Sequence, residues 1–464
     1  MSRPNNGFGV YKQPMKQLGT NSGSSYSSAG SPSSRNRTNK EVSEIGHSRI
    51  SRFFKILGPG LITGASDDDP SGIGTYAMAG AKLGYATLWT ALLTFPLMAS
   101  IQFICAKIGL VTGKGLAGVL RQHYPRSVLY FAVLGLLIAN TINAGADIGA
   151  VAAGINLLLP IPVHLLIVPI GVLLLIVQVL GSYRVLAKIF KWLTVSLFAY
   201  IGASFLARPN WNDVLRHTLI PTFSFDSSFL TILAALLGTT ISPYLFFWQA
   251  SQEVEELTNG QKRLWQRKRP NDEDLQYAAW DVNTGMLLSN VVMYFIILAT
   301  AATLHKTGQT DINTAADAAA ALRPLAGNAA YVLMALGLIG SGLLAIPILT
   351  TSGAYAVCET FGWKWGLDEK LRRAKQFYVV IAVSTLVGLL INFMDINPMD
   401  ALFWAAVING LIAPPLLFII MLVANNKRIM GKRVNGPGVN VLGWLTILVM
   451  FSAAVGLALT WGKS

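Results

Sequence analysis

Eleven apolar segments of about 20 residues each constrain the fold of this chain more than any other feature of its sequence. A helix of that length crosses the roughly 30 Å of hydrocarbon in a bilayer. Because water does not reach the bilayer interior, a spanning segment must satisfy its backbone hydrogen bonds internally, which favours helices. The sequence therefore predicts an all-α integral membrane protein. The spans, numbered 1 to 11, are expected near residues 54–81, 85–112, 128–158, 163–183, 186–207, 228–257, 276–304, 329–358, 376–395, 398–424 and 440–461.

The composition agrees with a membrane protein. Charged residues make up 12% of the 464-residue chain, about half of the share found in soluble domains. This shortage of surface charge excludes an ordinary soluble enzyme, and we expect neither enzymatic activity nor a cofactor. Two cysteines, Cys105 and Cys358, lie in apolar segments and are too few for a disulfide framework or a four-thiolate zinc site.

The distribution of basic residues predicts the orientation of the chain. The formal net charge is +14, from 36 Lys and Arg against 22 Asp and Glu. If the N-terminus is cytoplasmic, thirty of the 36 basic residues fall on the cytoplasmic side of the spans and six fall outside. This asymmetry follows the positive-inside rule, so it explains the charge without a nucleic-acid partner. We expect a multi-pass protein in a lipid bilayer, with a cytoplasmic N-terminus and an external C-terminus.

Residues 1–47 differ from the remainder of the chain. They are rich in Ser, Asn, Gly and Arg and show no helical or strand periodicity, which predicts a disordered basic cytoplasmic tail. A plain solvated leader and a lipid-binding segment both fit this composition. The tail lacks the apolar core and cleavage site of a secretory signal.

Two of the predicted spans are interrupted, and both interruptions carry polar residues. In span 1 the run Asp67–Asp69 precedes a proline, a serine and a glycine. Ionised, unpaired carboxylates inside a membrane each cost several kcal/mol, so a compensating group is required. In span 6 the sequence from Gly238 to Ser242 is followed by a proline, which again removes a backbone donor and frees carbonyl groups.

The positions of the two breaks predict an internal repeat. They open the first and the sixth of ten spans, and a half of five spans forces the two halves into opposite orientations. This is the pattern of an inverted-repeat secondary transporter, with its site at the midplane between unwound helices. The expected ten-helix core is 48–424, divided into halves 48–207 and 228–424, with an extra transmembrane helix at 440–461.

The polar groups at the breaks form a hard-oxygen ligand set. Carboxylates, backbone carbonyls and hydroxyls suit Mg²⁺, Mn²⁺ or Ca²⁺ better than soft metals, because no thiolate, thioether or imidazole joins them. Each group also has a structural interpretation: the acids could form a buried structural pair, Ser242 could mark a simple kink, and Asp147 in span 3 could be a cation relay or a helix–helix hydrogen bond. Asn409 and Asn290 fit packing roles. Residues 252–256 fit a solvated loop, ion-paired with the basic run 262–269.

The motifs at the breaks resemble those of the NRAMP family of divalent-metal transporters. Gly58-Pro-Gly is followed by Asp69-Pro-Ser-Gly in span 1, and Ser242-Pro-Tyr stands in span 6. The resemblance covers about residues 52–424. It implies a LeuT-type fold of five plus five spans with an eleventh helix, in which the metal is faced by Asp69, Gly72, Thr239 (through its carbonyl) and Ser242. Accessory or vestibule positions are then Asp67, Asp68, Tyr244, Asp147, Gln249 and Asn409.

The departures from the family pattern favour a particular branch. The family's asparagine and methionine are Gly72 and Ser242 here, so the soft ligand is lost and space is gained for a partly hydrated ion. Its two span 6 histidines are Tyr244 and Gln249, and the glutamate expected after Asp147 is an alanine. Neither tyrosine nor glutamine titrates near neutral pH. The pattern is similar to the NRAMP-related magnesium transporters.

The resemblance implies import of Mg²⁺ and Mn²⁺ without proton coupling, across a bacterial plasma (inner) membrane and with no obligatory protein partner. The alternatives are a proton-coupled Mn²⁺ or Fe²⁺ importer with Asp147 as relay, an organic-substrate symporter of the same fold, and a membrane receptor or scaffold. Three acids beside the span 1 break disfavour an anionic substrate.

Overall fold

A computed structural model of the chain describes residues 58–180, 198–259, 270–323, 327–367, 369–394 and 396–460. The predictions for the tail 1–47, for the first part of span 5 and for the basic run 262–269 lie outside these residues.

All regular secondary structure in the described residues is helical. The α-helices are α1 (Pro59–Asp67), α2 (Pro70–Leu83), α3 (Trp89–Thr112), α4 (Leu116–His123), α5 (Arg126–Leu158), α6 (Val163–Leu180), α7 (Ala199–Leu206), α8 (Trp211–Leu219), α9 (Ser227–Thr240), α10 (Pro243–Asn259), α11 (Asp272–Thr303), α12 (Ala315–Ala320), α13 (Ala330–Phe361), α14 (Lys375–Ile391), α15 (Pro398–Asn425), α16 (Lys427–Met430) and α17 (Pro437–Thr460). Short 3₁₀ turns occupy Gly84–Thr87, His305–Thr307, Gly327–Ala329 and Gly431–Arg433.

The helices lie where the sequence predicts spans. In the part of the chain that the structure describes, seven segments are long and apolar enough to cross a membrane: Trp89–Thr112, Arg126–Leu158, Ser227–Leu257, Asp272–Thr307, Ala330–Phe361, Pro398–Asn425 and Pro437–Leu459. Shorter apolar helices occupy spans 4 and 9, and α1 with α2 forms span 1. The total of eleven spans remains a prediction. The helices α4, α8 and α12 lie in connections for which no helix was expected.

Both predicted interruptions are present. Helix α1 ends at Asp67 and α2 begins at Pro70, while α9 ends at Thr240 and α10 begins at Pro243. A proline lacks the N–H that would continue the preceding helix, and its fixed φ suits the first position of a new one. The sequence therefore places both breaks through the same device.

The helices form two groups, and each group draws spans from both halves of the chain. Spans 1, 2, 6 and 7 belong together, because α11 contacts α1, α2 and α3, and α10 contacts α3. Spans 3, 4, 8 and 9 form the other group, in which α5 contacts α6, α13 and α14. Each group takes matching members from both halves, as an inverted repeat requires. Helix α15 contacts α5 and α9 and so joins the groups.

Glycines allow the first half of span 1 to lie directly against span 7. A Cβ atom added to Gly64 would stand 2.2 Å from the backbone of Gly285, so any side chain there would force α1 away from α11. Close backbone approach through small residues is the usual packing device of membrane helices. The α1 start is also fixed by Asp281 of α11, which accepts the N–H groups of Gly60 at 2.6 Å and Gly58 at 3.0 Å.

The broken span 6 and the last helix differ in how much of their surface is buried. The apolar window of Ser227–Leu257 is 94% buried inside the protein, whereas that of Pro437–Leu459 is 33% buried. Span 6 is therefore central and α17 peripheral. The expectation of a solvated loop at 252–256 was wrong: these residues continue α10, and Glu253 and Glu255 are buried. Their acidic side chains accept hydrogen bonds from Gln249 and Tyr355. These bonds compensate for the burial of the acids, which lets the helix continue past the apolar segment.

Candidate metal site

Asp69 lies at the start of α2 and caps that helix. Its Oδ1 accepts the backbone N–H of Gly72 and the hydroxyl of Ser71, both at 2.7 Å. A carboxylate at a helix N-terminus satisfies an otherwise unpaired donor and faces the positive end of the helix dipole. Asp69 is buried, so the break in span 1 holds one carboxylate in a fixed position inside the protein. The Gly72 N–H is thereby used as a donor to this carboxylate.

The second oxygen of Asp69 is held by span 3. Asn143 of α5 donates from Nδ2 to Asp69 Oδ2 at 3.0 Å and to Asp147 Oδ2 at 3.1 Å. One amide group therefore lies between two buried carboxylates. Asp147, which the sequence left open as relay or helix–helix hydrogen bond, thus belongs to the same network as Asp69.

Span 10 completes this network. Asn409 of α15 donates from Nδ2 to Asn143 Oδ1 at 2.8 Å. Two oxygens of the network, Asp147 Oδ1 and Asn409 Oδ1, are buried and have no hydrogen-bond partner among the described residues. Buried oxygens without a donor are costly, and both are of the kind that hard cations bind. Asn409 therefore does more than the packing role that its position suggested.

Span 6 approaches the same place from the opposite repeat. The hydroxyls of Ser71 and Thr239 lie 3.5 Å apart, and a Cβ atom at Gly72 would stand 3.2 Å from Thr239 Oγ1. Ser242 donates its hydroxyl to the Thr239 carbonyl at 2.6 Å and contacts the Gly238 carbonyl at 3.0 Å. The two helix breaks are therefore adjacent, and the groups lining the gap are oxygen donors.

Asp67 and Asp68 face a different helix. Ser289 of α11 contacts Asp67 Oδ2 at 2.6 Å and Asp68 Oδ1 at 3.1 Å. A serine hydroxyl has one proton, so it can serve only one of the two carboxylates at a time. The three consecutive acids therefore divide, with Asp69 directed to spans 3 and 6 and its two neighbours to span 7.

Tyr244 and Gln249 of α10 form hydrogen bonds with α1. The Tyr244 hydroxyl donates to the Ser66 carbonyl at 2.7 Å, one of the carbonyls that the end of α1 leaves without a helical partner. Gln249 accepts the hydroxyl of Thr63 at 2.5 Å and donates to Glu253. Both side chains hold the first half of span 1 against the second half of span 6.

Sequence reasoning missed three residues of this region: Asn143, Ser289 and Ser71. Asn143 lies four residues before Asp147, so both occupy one face of α5; this spacing was the available signal. No group of three or more His, Cys, Asp and Glu that could hold a metal ion occurs within the described ranges. Any ion here must therefore rely on amide, hydroxyl and carbonyl oxygens together with carboxylate, which is the expected set for a hard cation.

A comparison with known families decides the relationship. The family described as Natural resistance-associated macrophage protein-like, or Nramp, matches residues 60–460. The chain belongs to the Nramp family. Its members are transporters, which places the chain with transport proteins and not with enzymes. The family resemblance inferred from the two break motifs is thereby confirmed, while the narrower resemblance to a magnesium branch remains a prediction.

Solved structures confirm the fold. A point mutant of the Eremococcus coleocola manganese transporter superposes with a TM-score of 0.65 at 20% identity, covering 89% of each chain. The same transporter in complex with an aromatic bis-isothiourea substituted compound gives a TM-score of 0.65 at 21% identity over 88% of each chain. Mhp1, a nucleobase-cation-symport-1 family transporter, matches at 0.52 and 15% identity over 88% of this chain and 94% of its own. The fold is the LeuT-type inverted repeat predicted from the sequence.

Proposed function

We propose that this Nramp protein imports divalent metal cations, Mg²⁺ and Mn²⁺, and that the transport is not coupled to protons. The observation that carries the proposal is the position of Asp69, whose buried carboxylate lies where the two interrupted helices meet. The surrounding side chains of Ser71, Thr239 and Asn143 supply only oxygen and amide groups. Such a set suits a hard cation and gives no preference to a soft one.

The small residues at the two breaks support an ion that keeps part of its water. Gly72 has no side chain, and a Cβ atom there would stand only 3.2 Å from Thr239 Oγ1. Ser242 presents a short hydroxyl that is directed to its own helix. Mg²⁺ loses its hydration shell reluctantly. If Mg²⁺ keeps some of its water molecules, these fill coordination positions that protein ligands would otherwise have to occupy. A site with small side chains around the ion therefore suits Mg²⁺.

The membrane potential supplies enough free energy for import. Moving two positive charges inward across about 100 mV releases about 4.6 kcal/mol, from about 2.3 kcal/mol for each charge. The side chains at the two positions where the family pattern has histidine also support an uncoupled mechanism, because Tyr244 and Gln249 do not titrate near neutral pH and both donate or accept fixed hydrogen bonds with α1.

A second candidate function is proton-coupled import of Mn²⁺ or Fe²⁺. The observation that favours it is the link between Asp69 and Asp147 through one amide nitrogen, since a carboxylate beside a metal ligand is a suitable proton acceptor.

Purified protein in lipid vesicles distinguishes the two. With an inside-negative potential we expect Mg²⁺ and Mn²⁺ uptake without a change in internal pH. Asp69→Ala should abolish uptake, whereas Asp400→Ala, at an exposed position of α15, should leave it intact. Metal-driven acidification of the lumen contradicts the uncoupled mechanism, and Mn²⁺ flux without Mg²⁺ flux contradicts the proposed ion.

A further inference from the structure

The amide of Asn143 is oriented by its neighbours. Its nitrogen carries two protons, and the carboxylates of Asp69 and Asp147 accept one each. Its oxygen accepts the N–H of Asn409. The reverse orientation would place the amide oxygen against two carboxylates, so the N–H end faces Asp69 in the arrangement described here.

A cation at Asp69 reverses this requirement. The N–H end of an amide is the positive end of its dipole and is repelled by a cation, whereas the carbonyl oxygen is a ligand that hard cations accept. The two ends exchange by a half-turn about the terminal torsion of asparagine, which is broad and roughly two-fold. Asn143 can therefore present a ligand to the ion without any movement of α5.

A rotated Asn143 needs a hydrogen-bond acceptor for its nitrogen, and Asn409 can provide one. Its Oδ1 is buried and accepts no hydrogen bond in the described part of the chain. If both amides turn, the nitrogen of Asn143 donates to this oxygen, and the hydrogen bond between the two side chains is kept with its direction reversed. The Asn409 oxygen, unpaired in the described arrangement, would thus gain a donor after the rotation.

We infer that Asn143 is a two-state positioning residue of the transport site, an inference that rests on the proposed function. In the metal-free state its N–H groups satisfy Asp69 and Asp147. In the loaded state its oxygen faces the ion, and Asn409 turns with it.

Two variants of Asn143 test this role in vesicles. Asn143→Asp keeps the size of the side chain but replaces the amide donors by a third acid, so uptake should become pH-dependent across the neutral range and should be accompanied by proton movement. Asn143→Ala should weaken the apparent Mn²⁺ affinity about 10- to 100-fold with a flat pH profile, because the ion loses an oxygen ligand, a contact comparable in strength with a hydrogen bond to a charged group.

The control is Asn140→Ala. Asn140 is buried on the same helix and donates to the Leu349 carbonyl at 2.9 Å, away from Asp69. We expect wild-type affinity and a flat pH profile for this variant. If the Asn143 variants do not fold, as judged by thermal unfolding, Asn409→Ala serves instead. It leaves the nitrogen of the turned Asn143 without an acceptor, whereas the oxygen of the unturned side chain still lies 3.4 Å from the Ser71 hydroxyl, so Mn²⁺ affinity should weaken about 2- to 10-fold.

The outcomes separate this role from the proposed function. Acidification during uptake by the wild-type protein contradicts uncoupled transport itself. If wild-type transport is uncoupled, two results overturn the role of Asn143 alone. One is a flat pH profile in folded Asn143→Asp, and the other is an unchanged Mn²⁺ affinity in Asn143→Ala. Unchanged affinity in Asn409→Ala overturns the paired rotation.

Discussion

Gly72→Ala should reduce Mg²⁺ transport more than Mn²⁺ transport. The added Cβ atom would stand 3.2 Å from Thr239 Oγ1 and 3.3 Å from the carbonyl oxygen of Asp67. Both contacts are tighter than ordinary van der Waals separations, so the neighbouring groups must move by a few tenths of an ångström. The methyl group also enters the gap between the two breaks, where we place the hydrated ion.

The size of the effect follows from packing and hydration. Inserting a methyl group into a well-packed region costs about 1–3 kcal/mol. Set against ion binding, this cost corresponds to roughly a 5- to 150-fold loss of affinity. A methyl group is similar in size to a water molecule, which occupies about 30 Å³ of liquid, so it would compete with the water shell of a bound ion. Because Mg²⁺ retains its water more strongly than larger divalent ions, we expect this loss to fall mainly on Mg²⁺.

The assay is uptake of Mn²⁺ into vesicles with Mg²⁺ as competitor, which reports the ratio of the two apparent affinities. Gly74→Ala is the matched control, because a Cβ atom there meets only side-chain atoms of Leu402 and Met399 at 3.4 Å or more. An unchanged ratio in folded Gly72→Ala, or an equal change in Gly74→Ala, would refute the argument that space beside Gly72 serves a hydrated ion.

Three further changes have defined outcomes. Asp281→Ala removes the acceptor of several N–H groups at the start of α1 and should lower stability by about 2–4 kcal/mol, seen as a lower midpoint of thermal unfolding that Asp281→Asn partly restores. Tyr244→Phe should cost about 1 kcal/mol for one lost hydrogen bond and leave the pH profile of uptake unchanged; a changed profile would indicate a proton-handling role. The hydroxyl of Ser224 and the N–H groups at the start of α9 lower the pKa of Asp226. The stability that the ionised side chain contributes is therefore fully present above the pKa of the unfolded chain, about 4, and is lost as the pH falls through the lower pKa of the folded protein. Asp226→Asn should therefore remove part of the acid destabilisation, measured as thermal unfolding against pH, and an identical acid profile would contradict this.

The fold was predictable because each of its determinants is local in the sequence. Apolar length gives the spans, and a proline after polar residues gives each break, at Pro70 and Pro243 as observed. The positions of the breaks in spans 1 and 6 then indicate the repeat. Asp69 was proposed as a site residue from the acidic run before Pro70 and from the Asp-Pro motif of the family resemblance, and in the structure it is the N-cap of α2.

The remaining polar network could not be predicted, because it depends on which helix faces which. Nothing in the run Asp67–Asp69 shows that the first two carboxylates turn to Ser289 and the third to Asn143. That division arises at the end of α1, where the extended conformation of Asp69 redirects the chain. The pairing of Asn143 with Asn409 likewise joins residues 266 positions apart and is set by the packing of α5 against α15.

The most direct measurement of the central claim is the anomalous scattering of Mn²⁺ in crystals of the full chain, with Mg²⁺ as competitor. We predict one peak beside the Asp69 carboxylate, between α2 and the end of α9, that weakens as Mg²⁺ is added and is absent from Asp69→Ala. A peak elsewhere in the protein, or one at this place that survives Asp69→Ala, would contradict this prediction.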